Sequence, residues 1–403
     1  MSDANAGPLA GIRIVDLTAV MLGPIATQIL GDYGADVIKV ESPEGDLMRA
    51  NAVSLHAGMG SAFLAVNRNK RSVALDLKAE EARSVLRRLL AGADVLVHNM
   101  RVEAIGRLGF GYGAVAALRP DIVYCAATGF AEGGPESGRP AFDDTIQAAC
   151  GLASLVSIGR GEPAFVPTLI ADKTTGMAVV NAVLAALLHR ERTGKGQYVE
   201  VPMFETMVAF TLAEHLGGLT FDPPLGNAGY ARLLQDGRKP APTLDGYIAI
   251  LPYTGEQWAG FFRGVGREDL AQKYGIHDRR ARNAHMVEMY RDLARITREK
   301  TTAEWVAFCR QWDIPAMPLS TLDDLPAHPQ VKASGLIAEA DHPSEGRIRY
   351  VAPPTRFAAS PAEVRRPAPR LGEHTEEILA ELGYSPSQIE DLAKRRLAIQ
   401  ATG

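Results

Sequence analysis

The segment GIRIVDLTAVMLGPIATQILGDYGADVIKVE, residues 11–41, decides the predicted fold. Its first part, Gly11–Thr18, is an apolar run of strand length. Pro24–Tyr33 has the composition of a helix with proline in its first turn, and Ala35–Glu41 returns as a second apolar strand. A strand, a helix and a strand in this order form a βαβ unit, which predicts a parallel, Rossmann-like sheet.

The same alternation of strands and helices continues beyond this unit. A strand VALDL precedes a predicted helix at Glu80–Ala91, and the strands ADVLVHN and DIVYCA follow it. The fold class is therefore predicted as α/β. The first strand-to-helix turn, TAVMLGP, lacks the G-x-G-x-x-G that lets a backbone approach a pyrophosphate, so the pattern disfavours ordinary NAD or FAD binding.

The composition excludes several classes of function. A net charge of −4 over 403 residues argues against a general nucleic-acid binder, which needs a basic field. The three cysteines, Cys125, Cys150 and Cys309, are too far apart to indicate a disulfide framework or a zinc site. No signal peptide and no apolar run of about 18 residues is apparent, so we predict a cytoplasmic protein with no membrane segment.

A carboxylate stands at the boundary between an apolar run and a helix. In PAFVPTLIADKTTGM, residues 163–177, the apolar run ends at Asp172, and Thr174–Gly176 open a predicted helix that ends in basic residues and glycine. Asp172 is thus expected at or just before a helix N-terminus, where free N–H groups stabilise a carboxylate. Position alone leaves two interpretations open, a structural N-cap and a reactive carboxylate.

Basic residues recur near the predicted strand ends. They are Lys39, the group Arg68–Arg71, Arg101 and Arg107. Ligands dock at the carboxyl ends of strands in α/β sheets, so these cations predict a site for an anionic nucleotide. A solvated run of charges is the alternative. The adjacent acids Asp143 and Asp144 are expected in a solvated turn, and His98, His215 and His374 lack metal-ligand spacing, so no metal site is predicted.

The order and spacing of ten motifs along nearly the whole chain carry a family resemblance. The motifs are LAGIRIVDLT, GADVIKVE, NRNKRSVALDLK, RLGFGY, GFAEGGP, IADKTTGM, RTGKGQYVEVPMFE, TLDGYIAI, IPAMPLSTLDDLPAHPQV and APRLGEHTEEILAELGYS. On these the chain resembles the family III CoA-transferases, the superfamily of formyl-CoA transferase, the L-carnitine dehydratase/bile-acid-inducible protein F type and 2-methylacyl-CoA racemase.

The resemblance implies that Asp172 is the catalytic nucleophile, forming an aspartyl-CoA thioester on the way from one carboxylic acid to another. Coenzyme A and acyl-CoA would then be substrates, with no permanently bound cofactor. The residues implied in CoA binding are Ala19, Val20, Lys39, Arg71, Asn99, Met100, Arg107, Phe142 and Met203. For Met203, which precedes Phe204 and Met207 at helical spacing, simple core packing is an equal alternative.

The second half of the chain differs in character from the first. Residues 226–330 are predicted as a smaller α+β domain beside a large Rossmann-like domain of residues 1–225 and 331–403. The resemblance implies the return of the chain to the large domain and an interlinked homodimer. It also suggests that Gly217 and Gly218 form a loop near the thioester, although the longer glycine run of relatives is missing.

Three functions remain after these observations. The main prediction is a CoA-transferase acting on small carboxylic acids. A 2-methylacyl-CoA racemase is the first alternative, but it needs a second titratable group, and Phe142 stands where such enzymes carry His, with Asp143 as a possible substitute. A non-catalytic acyl-CoA-binding protein, which would not require Asp172, is the alternative from another class.

Overall fold

The structure is a computed structural model that describes residues 7–158, 161–234 and 238–399. The chain divides into two compact units. The first comprises the residues up to Ala153, Ala164–Ala213 and those from Lys332 onward, and the second comprises Ser154–Pro163 and Glu214–Val331. The predicted domain boundaries were 225/226 and 330/331, whereas the second unit begins at Glu214, ends at Val331 and also includes Ser154–Pro163, so the predicted domain division stays a prediction.

The first unit contains most of the strands and the longer helices. Its strands are β1 Arg13–Leu17, β2 Asp36–Glu41, β3 Lys70–Leu75, β4 Val95–His98, β5 Val123–Ala126, β6 Gln197–Glu200, β10 Ile337–His342, β11 Gly346–Val351 and β12 Ala398–Ile399. Its helices are α1 Leu22–Asp32, α2 Ser61–Val66, α3 Glu80–Ala91, α4 Val102–Arg107, α5 Tyr112–Leu118, α6 Asp143–Ala149, α8 Ile170–Thr193, α16 Thr375–Glu381 and α17 Pro386–Lys394. Three helices contain residues of both units, because the division of the chain falls within them: α7 Leu152–Ser157, α9 Met203–His215 and α15 Pro329–Ser334.

A seven-stranded sheet in the order β12-β3-β2-β1-β4-β5-β6 organises the first unit. All its pairs are parallel except the antiparallel pair of β12 with β3. Apolar side chains fill both faces: Val15 and Leu96 point into one buried cluster, Ile14 and Val97 into the other. Burial on both faces explains why these strands appear in the sequence as continuous apolar runs, and it confirms the predicted α/β class with a large parallel sheet.

The second unit is smaller and mixes short strands with helices. Its elements are β7 Ala241–Pro242, β8 Tyr247–Ile250, α10 Gly255–Gly264, α11 Glu268–Lys273, α12 Arg279–Ala284, α13 Met286–Ile296, α14 Thr302–Gln311 and β9 Ala316–Pro318. The three strands pair antiparallel, and a core around Trp258, Phe261 and Trp305 joins the helices. Gly217 and Gly218 belong to this unit, where Gly218 donates to Asn227 O at 3.0 Å.

Helix α8 begins earlier than the sequence pattern indicated, at Ile170 rather than near Thr174. With this extension it becomes the one helix of the described residues that is long and apolar enough to span a membrane by length and composition. Half of its apolar stretch is nevertheless buried within the chain, and its neighbours are α1, α6, β5 and β6. We therefore interpret α8 as a core helix of the α/β unit.

Candidate active site

A pocket of about 460 Å³ opens at the carboxyl ends of three neighbouring strands of the large sheet. This edge is where α/β folds place their ligands. The residues that line it come from the segments after β1, β4 and β5, together with one residue each from α8 and α9: Ala19, Val20, Leu22, Asn99–Glu103, Ala127–Phe130, Glu132, Gly133, Ser137–Phe142, Asp172 and Met203. Six of the predicted CoA-binding residues and the predicted nucleophile are thus brought together.

Asp172 is the third residue of α8 and lines this pocket. The N-cap position is occupied by Leu169, which offers no capping side chain. The structural N-cap interpretation of Asp172 is therefore wrong, because the helix starts two residues before it. No side chain or backbone group of the described residues donates a hydrogen bond to the Asp172 carboxylate, which leaves both of its oxygens available to a ligand in the pocket.

The helix N-terminus is capped from outside by Asp143, the first residue of α6. Asp143 Oδ2 accepts from the backbone N of Ala171 at 2.7 Å and of Asp172 at 3.0 Å. Its other oxygen, Oδ1, accepts from Gln147 Nε2 at 2.6 Å. Asp143 is only 3% exposed, so the expectation of a solvated turn was wrong for this residue. Its neighbour Asp144 is exposed, as expected.

This cap changes the electrostatics of Asp172. N–H groups at a helix N-terminus normally favour a carboxylate, but here two of them are occupied by the charge of Asp143. Burial, followed by repulsion from Asp143, raises the pKa of Asp172 from 3.8 to about 7. The chain thus holds a desolvated carboxylate beside a second acid, an arrangement that costs stability and that is characteristic of functional sites.

Close contact between α1 and α8 brings Asp172 to the strand end. A Cβ on Gly176, one turn after Asp172 in α8, would lie 2.7 Å from the carbonyl oxygen of Leu22 at the start of α1. Only glycine lets the two backbones approach so closely. The second turn of α8 therefore lies against the start of α1, and one turn before it Asp172 shares a pocket with Ala19 and Val20.

The turn after β1 forms one wall of the pocket and is held by hydrogen bonds. Asn99, directly after β4, accepts from Ala19 N at 3.0 Å and donates to Ala19 O at 2.8 Å. Asn99 therefore contacts both the pocket and the adjacent turn. Met100 follows it, and Met203, which is 3% exposed, combines the two roles that the sequence left open, because it packs in the core and also lines the pocket.

Three predicted CoA contacts do not line this pocket, and two of them, Lys39 and Arg71, are held by ion pairs away from it. Lys39 is fully buried, where its Nζ donates to Thr18 O at 2.8 Å and Asp46 Oδ2 at 3.0 Å. Arg71 lies at the start of β3, the amino end of the sheet, and pairs with three carboxylates, those of Asp36, Glu377 and Glu381. The Arg71 guanidinium is thus surrounded by acids in this structure, and its role in CoA binding stays a prediction.

Arg107 and Phe142 are both exposed. Arg107 is the last residue of α4, and no carboxylate of the described residues pairs with it. It does not line the pocket as described, although its helix starts from residues that do. Phe142 is 63% exposed and lines the pocket directly before Asp143.

Several charged residues of the pocket were not singled out as site residues in the sequence. Arg101 is exposed at the pocket and makes no ion pair with a described residue, whereas Arg139 pairs with Glu136. The acids Glu103 and Glu132 also line the pocket. The sequence places Arg101 three residues after a strand end, but no neighbouring residue distinguishes it from the other cations near strand ends.

His98 lies next to the pocket residues but is buried in the core. It is 1% exposed at the end of β4, and its ring meets the ring of Tyr124 edge-on, with centroids 5.2 Å apart. Burial lowers its pKa to about 4, so the imidazole is neutral at pH 7. Within the described residues no group of three or more His, Cys, Asp or Glu side chains is placed to hold a metal ion.

Comparison with known proteins identifies the relatives of the chain. The family model described as CoA-transferase family III matches residues 9–375. The chain is 31% identical to the succinate–glutarate CoA-transferase of Agrobacterium fabrum, over 93% of this chain and 96% of the relative. It is 32% identical to the formyl-CoA:oxalate CoA-transferase of Escherichia coli O157:H7, over 95% of this chain and 97% of the relative. A crystal structure of a CAIB/BAIF family protein from Brucella suis matches with a TM-score of 0.80 and 31% identity, covering 94% of this chain and all of that one.

Proposed function

Since the chain belongs to CoA-transferase family III, we propose that its transferase reaction takes place in the pocket at Asp172, with this residue as the nucleophile. The observation that carries the proposal is a carboxylate that lines the pocket, has a pKa raised to about 7 and accepts no hydrogen bond from the described residues. When its surroundings stabilise the ionised form of a carboxylate poorly, conversion to a neutral covalent adduct removes an unfavourable charge and is favoured.

The reaction is balanced with Asp172 alone as the covalent group. An Asp172 oxygen attacks the thioester carbonyl carbon, the C–S bond breaks, and the CoA thiolate leaves a mixed anhydride. The thiolate then attacks the aspartyl carbonyl carbon, which releases the first acid as a carboxylate and forms an aspartyl-CoA thioester. The acceptor carboxylate repeats the two steps in reverse order, so Asp172 returns to its ionised form.

We propose small dicarboxylic acids as substrates. The two relatives described above are named for succinate, glutarate, formyl-CoA and oxalate, and succinate, glutarate and oxalate carry a second carboxylate. A cation in the pocket is needed to hold that second carboxylate. Arg101 suits this role because it lines the pocket without an acidic partner among the described residues, whereas Arg139 is already paired with Glu136.

The racemase alternative fits the pocket less well. Inversion needs two titratable groups on opposite faces of the carbon beside the thioester. Phe142 cannot carry a proton, and both oxygens of Asp143 are used, one by the α8 backbone and one by Gln147. Asp143 is better suited to cap α8 than to exchange protons with a substrate, so neither residue at the predicted position of the second base serves that role.

Mass spectrometry after incubation with succinyl-CoA tests the nucleophile. We expect CoA linked to the peptide that contains Asp172, no such adduct in the Asp172→Asn variant, and no turnover by that variant. Asp144→Asn is the matched control, because it removes the same charge at an exposed position and should keep full activity. Appreciable turnover by Asp172→Asn would refute the role of Asp172 and would be the result expected of a chain that catalyses by another residue.

A second experiment separates the alternatives. With 2-methylacyl-CoA in deuterated water, we expect CoA exchange with an acceptable free acid and no rapid deuterium incorporation at the α-carbon. Rapid inversion would support the racemase, and CoA binding without either reaction would support the non-catalytic binding protein. A homodimer and a cytoplasmic location stay predictions, for which gel filtration and cell fractionation are the tests.

A further inference from the structure

The turn that follows β1 contains a backbone conformation that its residue disfavours. Val20 has a φ of 70°, in the left-handed region, which a β-branched residue rarely adopts. The residue also lines the pocket. Strained conformations of this kind persist only where surrounding contacts determine them, and they cluster at functional sites. The contacts that hold Val20 therefore bear on the shape of the pocket wall.

Asp46 supplies one of these contacts from the segment after β2. Its Oδ1 accepts from Val20 N at 3.1 Å and from Met48 N at 3.0 Å. The carboxylate is 1% exposed, so the accepted N–H of Val20 would lose its partner without access to water if Asp46 were removed. Asp46 thus joins the β1 turn to the short 3₁₀ helix Leu47–Ala50.

Lys39 binds both Asp46 and the turn that follows β1. Its ammonium donates to Asp46 Oδ2 at 3.0 Å and to Thr18 O, at the other end of the turn, at 2.8 Å. The side chain has no exposed surface. A buried charge that joins two loop segments in this way costs more to break than an exposed ion pair. Lys39 therefore connects the start of the turn to the acid that holds its strained residue.

We propose that the buried pair Lys39–Asp46 is a positioning device that imposes the left-handed turn at Val20 and so shapes the wall against which CoA binds. The proposal rests on the pocket being the CoA site, as proposed above. It gives Lys39 a role different from the predicted phosphate contact, because the residue acts on the ligand only through Asp46 and the turn.

A double-mutant cycle tests this in the full-length protein, with isothermal titration of CoA as the readout. Asp46→Ala should weaken CoA binding about tenfold, the factor that corresponds to about 1.4 kcal/mol for one buried hydrogen bond. Glycine adopts positive φ without strain, so in the Val20→Gly background the same Asp46→Ala change should lower CoA affinity by less than about threefold. If Asp46→Ala does not fold, Asp46→Asn and Lys39→Met replace it in the same cycle.

Two controls separate a loss of positioning from a loss of stability or of the site. Asp32→Ala breaks another buried ion pair, with Arg68 at 2.7 Å, and should lower the melting temperature without changing CoA affinity. Arg101→Glu places a negative charge in the pocket, which repels the phosphates of CoA as well as a substrate carboxylate, and it should weaken CoA binding. The positioning role would be overturned if Asp46→Ala lowered CoA affinity equally in both backgrounds. It would also be overturned if Arg101→Glu lowered CoA affinity and Asp46→Ala did not. Unchanged affinity in both Asp46→Ala and Arg101→Glu would instead overturn the assignment of the pocket to CoA.

Discussion

Replacing Asp172 by asparagine is expected to stabilise the folded protein at alkaline pH while it abolishes transfer. The carboxylate of Asp172 is desolvated and faces the charge of Asp143, and both effects disfavour its ionised form in the folded state. Asparagine has nearly the same shape but carries no charge, so it avoids this cost. The carboxylate that we propose as the nucleophile is therefore expected to reduce the stability of the folded protein.

The size of the effect follows from the shift in pKa. A change from 3.8 to about 7 is roughly three units, and each unit corresponds to about 1.36 kcal/mol, which gives an upper limit of about 4 kcal/mol. Asp172 is partly accessible, so solvent screening reduces this figure, and about 2 kcal/mol is a reasonable expectation. Such a gain raises the melting temperature by a few degrees, roughly 2–5 °C in a large chain.

The gain depends on pH with a definite sign. Because the pKa is higher in the folded than in the unfolded chain, the folded protein holds the extra proton between about pH 4 and pH 7, and wild-type stability falls as pH rises through this window. The asparagine variant has no such proton. Its advantage over wild type should be fully developed at about pH 8 and clearly smaller at about pH 4.5.

Thermal denaturation followed by circular dichroism at the two pH values measures the difference between variants, in which the titration of all other carboxylates cancels. Asp144→Asn again serves as the matched control, and it should change the melting temperature equally little at both pH values. A variant no more stable than wild type at about pH 8, or a gain of the same size at both values, would refute the reasoning about Asp172.

Three further predictions concern rate, charge and packing. The kcat/KM for acyl-CoA should rise with pH up to about pH 7 and then level off, as Asp172 ionises, and a rate independent of pH from about 5 to 8 would contradict this. Arg71→Ala should lower the free energy of unfolding by about 1–3 kcal/mol without raising the KM for acyl-CoA. Arg107→Ala should raise that KM with little change in kcat. The reverse pattern would support Arg71 as a CoA contact. Gly176→Ala should destabilise the protein by about 1–3 kcal/mol and lower kcat, because its Cβ would meet the Leu22 carbonyl and displace the N-terminal turns of α8, which carry Asp172. Gly106→Ala should do neither, because outside its own helix turn and chain neighbours no atom lies within 4 Å of the new Cβ. An active, fully stable Gly176→Ala enzyme would contradict the close packing.

The fold could be predicted because its strands carry a strong local signal. Strands β1 and β2 are buried on both faces, so each appears in the sequence as a run of apolar residues, and the helix between them has the length of one crossover. The predicted helix Glu80–Ala91 has the observed bounds of α3. The antiparallel edge strand β12, which is two residues long, had no such signal, since its pairing with β3 joins residues more than 300 positions apart.

The acidic partners of Arg71 could not be predicted from the sequence, because two of the three lie more than 300 positions away along the chain. Arg71 is the second residue of β3 and therefore lies at the amino edge of the sheet, opposite the pocket. Its three acidic partners come from β2 and from α16, of which the latter is distant in sequence. The position of a basic residue before a strand therefore gives no information about the carboxylates that surround it in the folded chain.

The chemistry of Asp172 depends on a residue whose contribution could not be read locally. The sequence indicated a carboxylate at a helix N-terminus, and that position alone would lower the pKa. The pKa is raised instead, because Asp143, from a different helix, occupies the backbone N–H groups of Ala171 and Asp172 with its own charge. One acid takes the stabilising hydrogen bonds, and the other is left exposed to the pocket without them. The reactivity proposed for Asp172 therefore arises from the contact of α6 with α8 and not from the motif in which Asp172 lies.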